Sequence, residues 1–167
     1  FPLIMIKIIP SNKILFFFLL FYLHVANVYS DIIKPNIKIE PYNVVEIQLI
    51  SLKNNDKPDK DFGIEQTWEF AHPENKINTG PLNNFKKMLK NEIYSILLNH
   101  KDHKIEEIYN NKKIAIYDVI ILGSDNFYYE FKWQVERYNG KGSLNNCWLT
   151  TAAVSYTHLT LPTIRWV

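Results

Sequence analysis

The 167-residue chain is short of anchoring chemistry: it has one cysteine, Cys147, and neither a CxxC nor an HxxxH pair. A lone thiol excludes an internal disulfide, and the missing ligand pairs leave no expected metal site and no implied cofactor. Residues 31–153 contain no N-x-Ser/Thr sequon and no internal repeat. Negative charge is missing from both ends, because all 17 acidic residues fall within 31–153, whereas Lys7, Lys13 and Arg165 fall outside it. That interior has a balance of −1 and no basic patch interleaved with aromatics, so nucleic acid is not an expected partner. What the chain does have is 47% hydrophobic and 22% charged residues, the balance of a globular domain rather than a disordered or multi-spanning one.

The ends read differently from the middle. Phe1 to Ile4 precede the first methionine, Met5; Lys7 and Lys13 then form a basic region ahead of the apolar run ILFFFLLFYLHVA, and Val28-Tyr29-Ser30 offers a cleavage site before Asp31. This is the layout of a signal peptide, with an apolar run shorter than the ~20 residues a membrane-spanning helix needs. Residues 1–30 are therefore expected to be removed, leaving no membrane segment and placing the product in the secretory lumen or outside the cell. An organelle such as a plastid, reached through the secretory route, is the alternative. At the other end, Val154 to Thr163 spell VSYTHLTLPT. This string resembles a translated transposon-end sequencing adaptor, so residues 154–167 are expected to be non-native.

Between these ends lies one expected domain, residues 41–153, preceded by a linker at 31–40. Pro41 suits a first helical turn, and 42–53 carry Val45, Leu49 and Leu52 on one face. The polar stretch NNDKPDKD ends that helix. Residues 63–71 space Ile64, Trp68 and Ala71 helically until Pro73 forces an exit, and a third helix follows Gly80-Pro81 with Leu82, Phe85 and Leu89 on one stripe. Lys86, Lys87 and Lys90 are read as its solvated side. From Ser95 onward, turn residues at Asn110-Asn111, Ser124-Asp125-Asn126 and Asn139 to Gly142 separate strands. Residues 127–137 alternate cleanly, with Phe131, Trp133 and Val135 on the buried side. Residues 113–122 are apolar on both faces, which predicts an interior strand. The last strand is expected at 146–152. Three helices packed on an antiparallel sheet of about four strands make an α+β domain.

The same residues carry a resemblance. Thr67-Trp68-x-Phe70-Ala71-His72-Pro73-x-Asn75, Thr79-Gly80-Pro81-Leu82-x-x-Phe85, Leu97-Leu98-Asn99-His100 and Cys147-Trp148-x-Thr150-Thr151 are similar to the family grouped as domain of unknown function 4864, over about 41–152. The resemblance implies a fold like the nuclear-transport-factor-2 superfamily, a cone of helices over a curved sheet, with no established activity. Because that fold serves enzymes and binding modules alike, it does not choose between them.

Asp118 is the leading carboxylate, because it shares a strand face with Ile114, Ile116, Ile120 and Leu122, where desolvation would suit it to proton transfer. The alternative role is a structural hydrogen bond. His72 ends the second helix, where its imidazole would meet the last carbonyls; a place in the pocket is the functional alternative. His100 and His103 are three apart in a strand entrance and are expected to point to opposite sides. Cys147 is read as a small buried side chain. The candidate ligand-contacting set is Trp68, His72, Asn75, Phe85, His100 and Trp133. Two functions follow: a pocket that binds a small apolar ligand or a protein partner, in a domain able to form a homodimer through the open sheet face, or a lyase- or isomerase-type enzyme using Asp118 and His72. The enzyme requires both side chains to converge on one pocket.

Overall fold

The computed structural model describes residues 31–156; the expected leader at 1–30 and the adaptor-like tail from Thr157 onward lie outside the described residues. Among the described residues, four α-helices and a four-stranded antiparallel sheet give the α+β class.

Pro41 opens α1 (Pro41–Lys53), where its missing N–H has no intrahelical partner to lose. Val44, Val45, Gln48, Leu49 and Leu52 form its buried stripe. Asn54 closes it, donating from Nδ2 to Ile50 O at 3.0 Å. The following loop is held by its own side chains. Asp56 accepts from the Asp61 N–H at 3.0 Å and from Asn99 Nδ2 at 3.1 Å, and Asn55 Oδ1 accepts from the Ile64 N–H at 3.1 Å. This loop delivers α2 (Phe62–Glu69) against α1 at Gly63, where an added Cβ would stand 2.1 Å from the Ser51 carbonyl oxygen.

A helix absent from the sequence reading follows. α3 (Pro73–Thr79) buries none of its residues, so no apolar periodicity announces it. Its ends form it instead: Pro73 sits in the first turn, His72 Nδ1 accepts from the Glu74 N–H at 3.3 Å, and Gly80 stops it with φ +83°. α4 (Leu82–Leu89) presents the expected stripe, burying Phe85 and Leu89. Its lysine side is not merely solvated. Lys86 pairs with Glu65 at 2.7 Å and Lys90 with Asp61 at 2.7 Å, tying α4 to the start of α2. The hydrogen bond from Lys90 holds the Asp61 carboxyl below the usual carboxylate range.

A 3₁₀ turn (Ser95–Leu97) leads to β1 (Asp102–Asn110), β2 (Ile114–Leu122), β3 (Tyr128–Arg137) and β4 (Trp148–Tyr156), which pair in sequence order. The β3 alternation fixes the faces. Phe131, Trp133 and Val135 turn toward the helices, and opposite them stand Val119, Tyr117 and Ala115. The helix-facing set of β2 is therefore Ala115, Tyr117, Val119 and Ile121, all fully buried, while Ile114, Ile116, Asp118, Ile120 and Leu122 lie half-buried on the other face. A one-residue change of phase exchanges these sets, and a strand apolar on both sides carries no signal of which is right.

β4 begins two residues later than expected, after Asn146 takes a left-handed turn with φ 63°, and runs on through Val154, Ser155 and Tyr156, which pair with Lys132, Phe131 and Glu130. These three residues belong to the adaptor-like stretch; they join the ladder through backbone groups, and Lys132 Nζ also lies 5.3 Å from the Tyr156 ring centre. Near its start β4 is also bridged by residues 70–72: the Thr150 N–H donates to Phe70 O at 2.8 Å and the His72 N–H to Thr150 O at 2.9 Å. The segment ahead of α1 is fastened too. Gln66 accepts from the Ile33 N–H at 2.7 Å and donates to Ile33 O at 2.9 Å.

Candidate functional site

A cavity of about 270 Å³ lies between the helices and the helix-facing side of β3 and β4. Its apolar walls come from Leu52 of α1, Trp68 of α2, Phe85, Met88 and Leu89 of α4, Leu97, Trp133 of β3 and the Ala152–Ala153 stretch of β4. Trp68 and Phe85 meet with ring centroids 4.9 Å apart at 42°. Among the described residues no Asp, Glu, Lys, Arg, His or Cys lines it; Tyr94 is the one titratable side chain among them that does, and its hydroxyl donates to Ala153 O at 3.2 Å.

One amide organises the floor. Gln48, 1% exposed, donates from Nε2 to Thr67 O at 3.0 Å, while its Oε1 accepts from Trp133 Nε1 at 3.0 Å and from Thr150 Oγ1 at 2.6 Å. These three bonds join α1, α2, β3 and β4 and orient the Trp133 indole along the cavity wall. The Thr67 hydroxyl donates back to Gly63 O at 2.8 Å. Sequence reasoning missed Gln48 and Thr150. The available signal was a lone amide in the middle of the Val44, Val45, Leu49, Leu52 stripe, a position that burial tolerates only when the amide is bonded.

Four of the six candidate ligand contacts, Trp68, Asn75, Phe85 and Trp133, line this cavity; His72 and His100 do not. His72 is drawn away because its imidazole caps the start of α3 rather than the end of the preceding helix, and its ring packs edge-on against Tyr138 at 5.4 Å. Asp118 is on the sheet's opposite face, 3.3 Å from Lys132 Nζ on the neighbouring strand. Its Oδ1 is shielded from solvent there, but neither Asp118 nor His72 lines the cavity, so the two proposed acid–base partners do not converge on it.

His100 and His103 correct a second expectation. Asn99, with φ 54°, bends the chain just before β1, and the two rings meet at 2.7 Å between His100 Nε2 and His103 Nδ1. His100 Nδ1 lies 2.7 Å from Leu97 O, so that nitrogen carries the proton, and in the neutral pair His100 Nε2 accepts from His103. Burial pushes His100 down to about 4 from an ordinary 6.5 and lowers His103 as well. Among the described residues no three His, Cys, Asp or Glu side chains gather to hold a metal ion.

A pH dependence follows from His100. Its neutral form is favoured by folding, so the contribution is complete above the unfolded value of 6.5 and is lost as pH falls from there to about 4. The gap corresponds to roughly 3 kcal/mol. Urea unfolding midpoints are expected to drop steadily from pH 7 to pH 4.5, with the His100 imidazole resonances unchanged above pH 5. A His100 imidazole titrating near 6.5 in the folded protein would refute the assignment.

Cys147 is buried, and burial raises its thiol pKa, consistent with packing rather than nucleophilic use. No helix of the described residues is long and apolar enough to cross a membrane. Compared with protein-family models, curated proteins and solved structures, the chain finds a match in none of the three.

Proposed function

We propose that the domain is a binding module whose cavity takes a small, uncharged, apolar ligand. The observation that carries this reading is the lining itself: aromatic and aliphatic walls, no charged side chain, and a buried amide whose bonds are all made within the protein. A charged guest would lose its hydration there without meeting a counter-charge. The volume lies near the lower end of ligand pockets, which suits a molecule of one or two rings. The motif resemblance to the family grouped as domain of unknown function 4864, and through it to the nuclear-transport-factor-2-like cone, is part of the same proposal, since such cones enclose pockets between helices and sheet. The leader-like residues 1–30 support delivery along the secretory route.

Naphthalene is a suitable neutral probe because Trp68 and Trp133 report its arrival by fluorescence. Saturable binding at one site per chain is expected. Ala153 lies opposite Trp133 in the sheet and lines the cavity, so Ala153→Phe fills the space and is expected to reduce that affinity at least tenfold. Binding that is absent, or indifferent to the substitution in a folded variant, would count against the proposal.

A further inference from the structure

The polar capacity of the cavity is unevenly spent. On the floor and the β4 wall it is used up: Gln48, Thr67, Tyr94 and Thr150 each bond within the protein. On the α3 wall it is not. Asn75 donates from Nδ2 to Thr150 O at 3.1 Å and to Thr151 O at 2.8 Å. That pairing with two carbonyls fixes which end of the amide is nitrogen, and it leaves Oδ1 accepting from no group among the described residues. Thr79 is four residues further on and so shares a face of α3 with Asn75. It lines the same cavity, and its hydroxyl bonds to no described residue. The nearby cation is already engaged, since Lys76 donates to Glu69 O at 3.3 Å and lies 5.4 Å from the Trp68 ring centre.

We infer, resting on the apolar-pocket reading above, that the occupant is an uncharged molecule with an apolar body and a single hydrogen-bond donor, a hydroxyl or an N–H, which is received by Asn75 Oδ1 and Thr79 Oγ1 on α3. The apolar body meets Trp68, Phe85 and Trp133. The donor end faces the one wall with acceptors to spare, and a ligand lacking it leaves those acceptors unpaired once water is displaced. An anion is disfavoured twice, by an uncharged lining and by the Asn75 Oδ1 acceptor facing its charge.

Calorimetric titration of the full chain with three probes of matched size tests this. 2-Naphthol supplies a donor, 2-methoxynaphthalene removes it, and 2-naphthoate replaces it with a charge. 2-Naphthol is expected to bind about tenfold more tightly than the ether, the scale of one net hydrogen bond, and more tightly still than the carboxylate. In Thr79→Val the advantage of naphthol over the ether is expected to shrink at least threefold. Equal affinity for naphthol and ether, tightest binding of naphthoate, or an unaltered preference in the folded Thr79→Val variant would overturn the inference and leave the apolar pocket standing. Failure of all three probes to bind the folded protein would remove both. Should Thr79→Val not fold, the ranking on the unmodified chain decides.

Discussion

Gln48→Leu is expected to lower the free energy of unfolding by roughly 3–5 kcal/mol while leaving the side-chain volume nearly unchanged. The loss arises because one substitution strands three buried groups: Thr67 O, Trp133 Nε1 and Thr150 Oγ1. Each unpaired buried group costs about 1–3 kcal/mol, and the threonine hydroxyl recovers part of its share by rotating. Leucine on the same helical stripe would otherwise be favourable, so the sign separates polar satisfaction from apolar burial. Urea denaturation at pH 7.5 measures it. A loss under about 1 kcal/mol would mean that the stranded partners find other bonds, and Gln48 would then be a bystander at the cavity floor. Because native domains carry only about 5–15 kcal/mol in total, the expected loss brings the variant close to unfolding at physiological temperature.

Gly63→Ala produces the second large effect by a different route. The methyl group would meet the Ser51 carbonyl oxygen at 2.1 Å and its carbon at 2.7 Å, and both are backbone atoms of α1. No rotamer change relieves that contact, so the two helices must separate. The Ile64 N–H bond to Asn55 and the Gly63 N–H bond to Asn55 O, 2.9 Å long, lie at the same junction and would be strained together. Overpacking on this scale costs about 3 kcal/mol, or a fall in Tm of roughly 10 °C for a domain of this size. Alanine is the better helix former, so an exposed glycine in a helix would respond in the opposite direction. An unchanged or raised Tm would place α1 and α2 farther apart than described.

How much the sequence revealed depended on whether burial left a period behind. The stripes Val45, Leu49, Leu52 and Leu82, Phe85, Leu89 were readable because each packs one face of a helix into the core. So was β3, with its strict alternation of Phe131, Trp133 and Val135 against Lys132, Gln134 and Glu136. α3 was hidden because PENKINT buries nothing and is held by a histidine cap and a terminal glycine. The phase of β2 was hidden for the opposite reason: both of its faces are apolar, and only pairing with β3 decides that Tyr117 points inward and Asp118 outward. Asp118 shares its face with Ile114, Ile116, Ile120 and Leu122 as the residue order implies, but that face is turned away from the cavity. Trp68, Asn75, Phe85 and Trp133 could be nominated individually, but that they share one cavity is a matter of tertiary geometry. The contact between His100 and His103 depends on one left-handed residue, Asn99, which strand periodicity cannot anticipate.

Gln66 grips Ile33 through its main chain alone, receiving the N–H and supplying the C=O with a donor. Such a clasp is blind to the identity of the side chain it holds, and at that position only proline, which lacks the N–H, forfeits a bond. Sequence freedom is therefore local: position 33 accepts almost any side chain, whereas further along the same strap Lys34 pairs with Glu69 at 2.9 Å and Ile39 packs against the hydrophobic core.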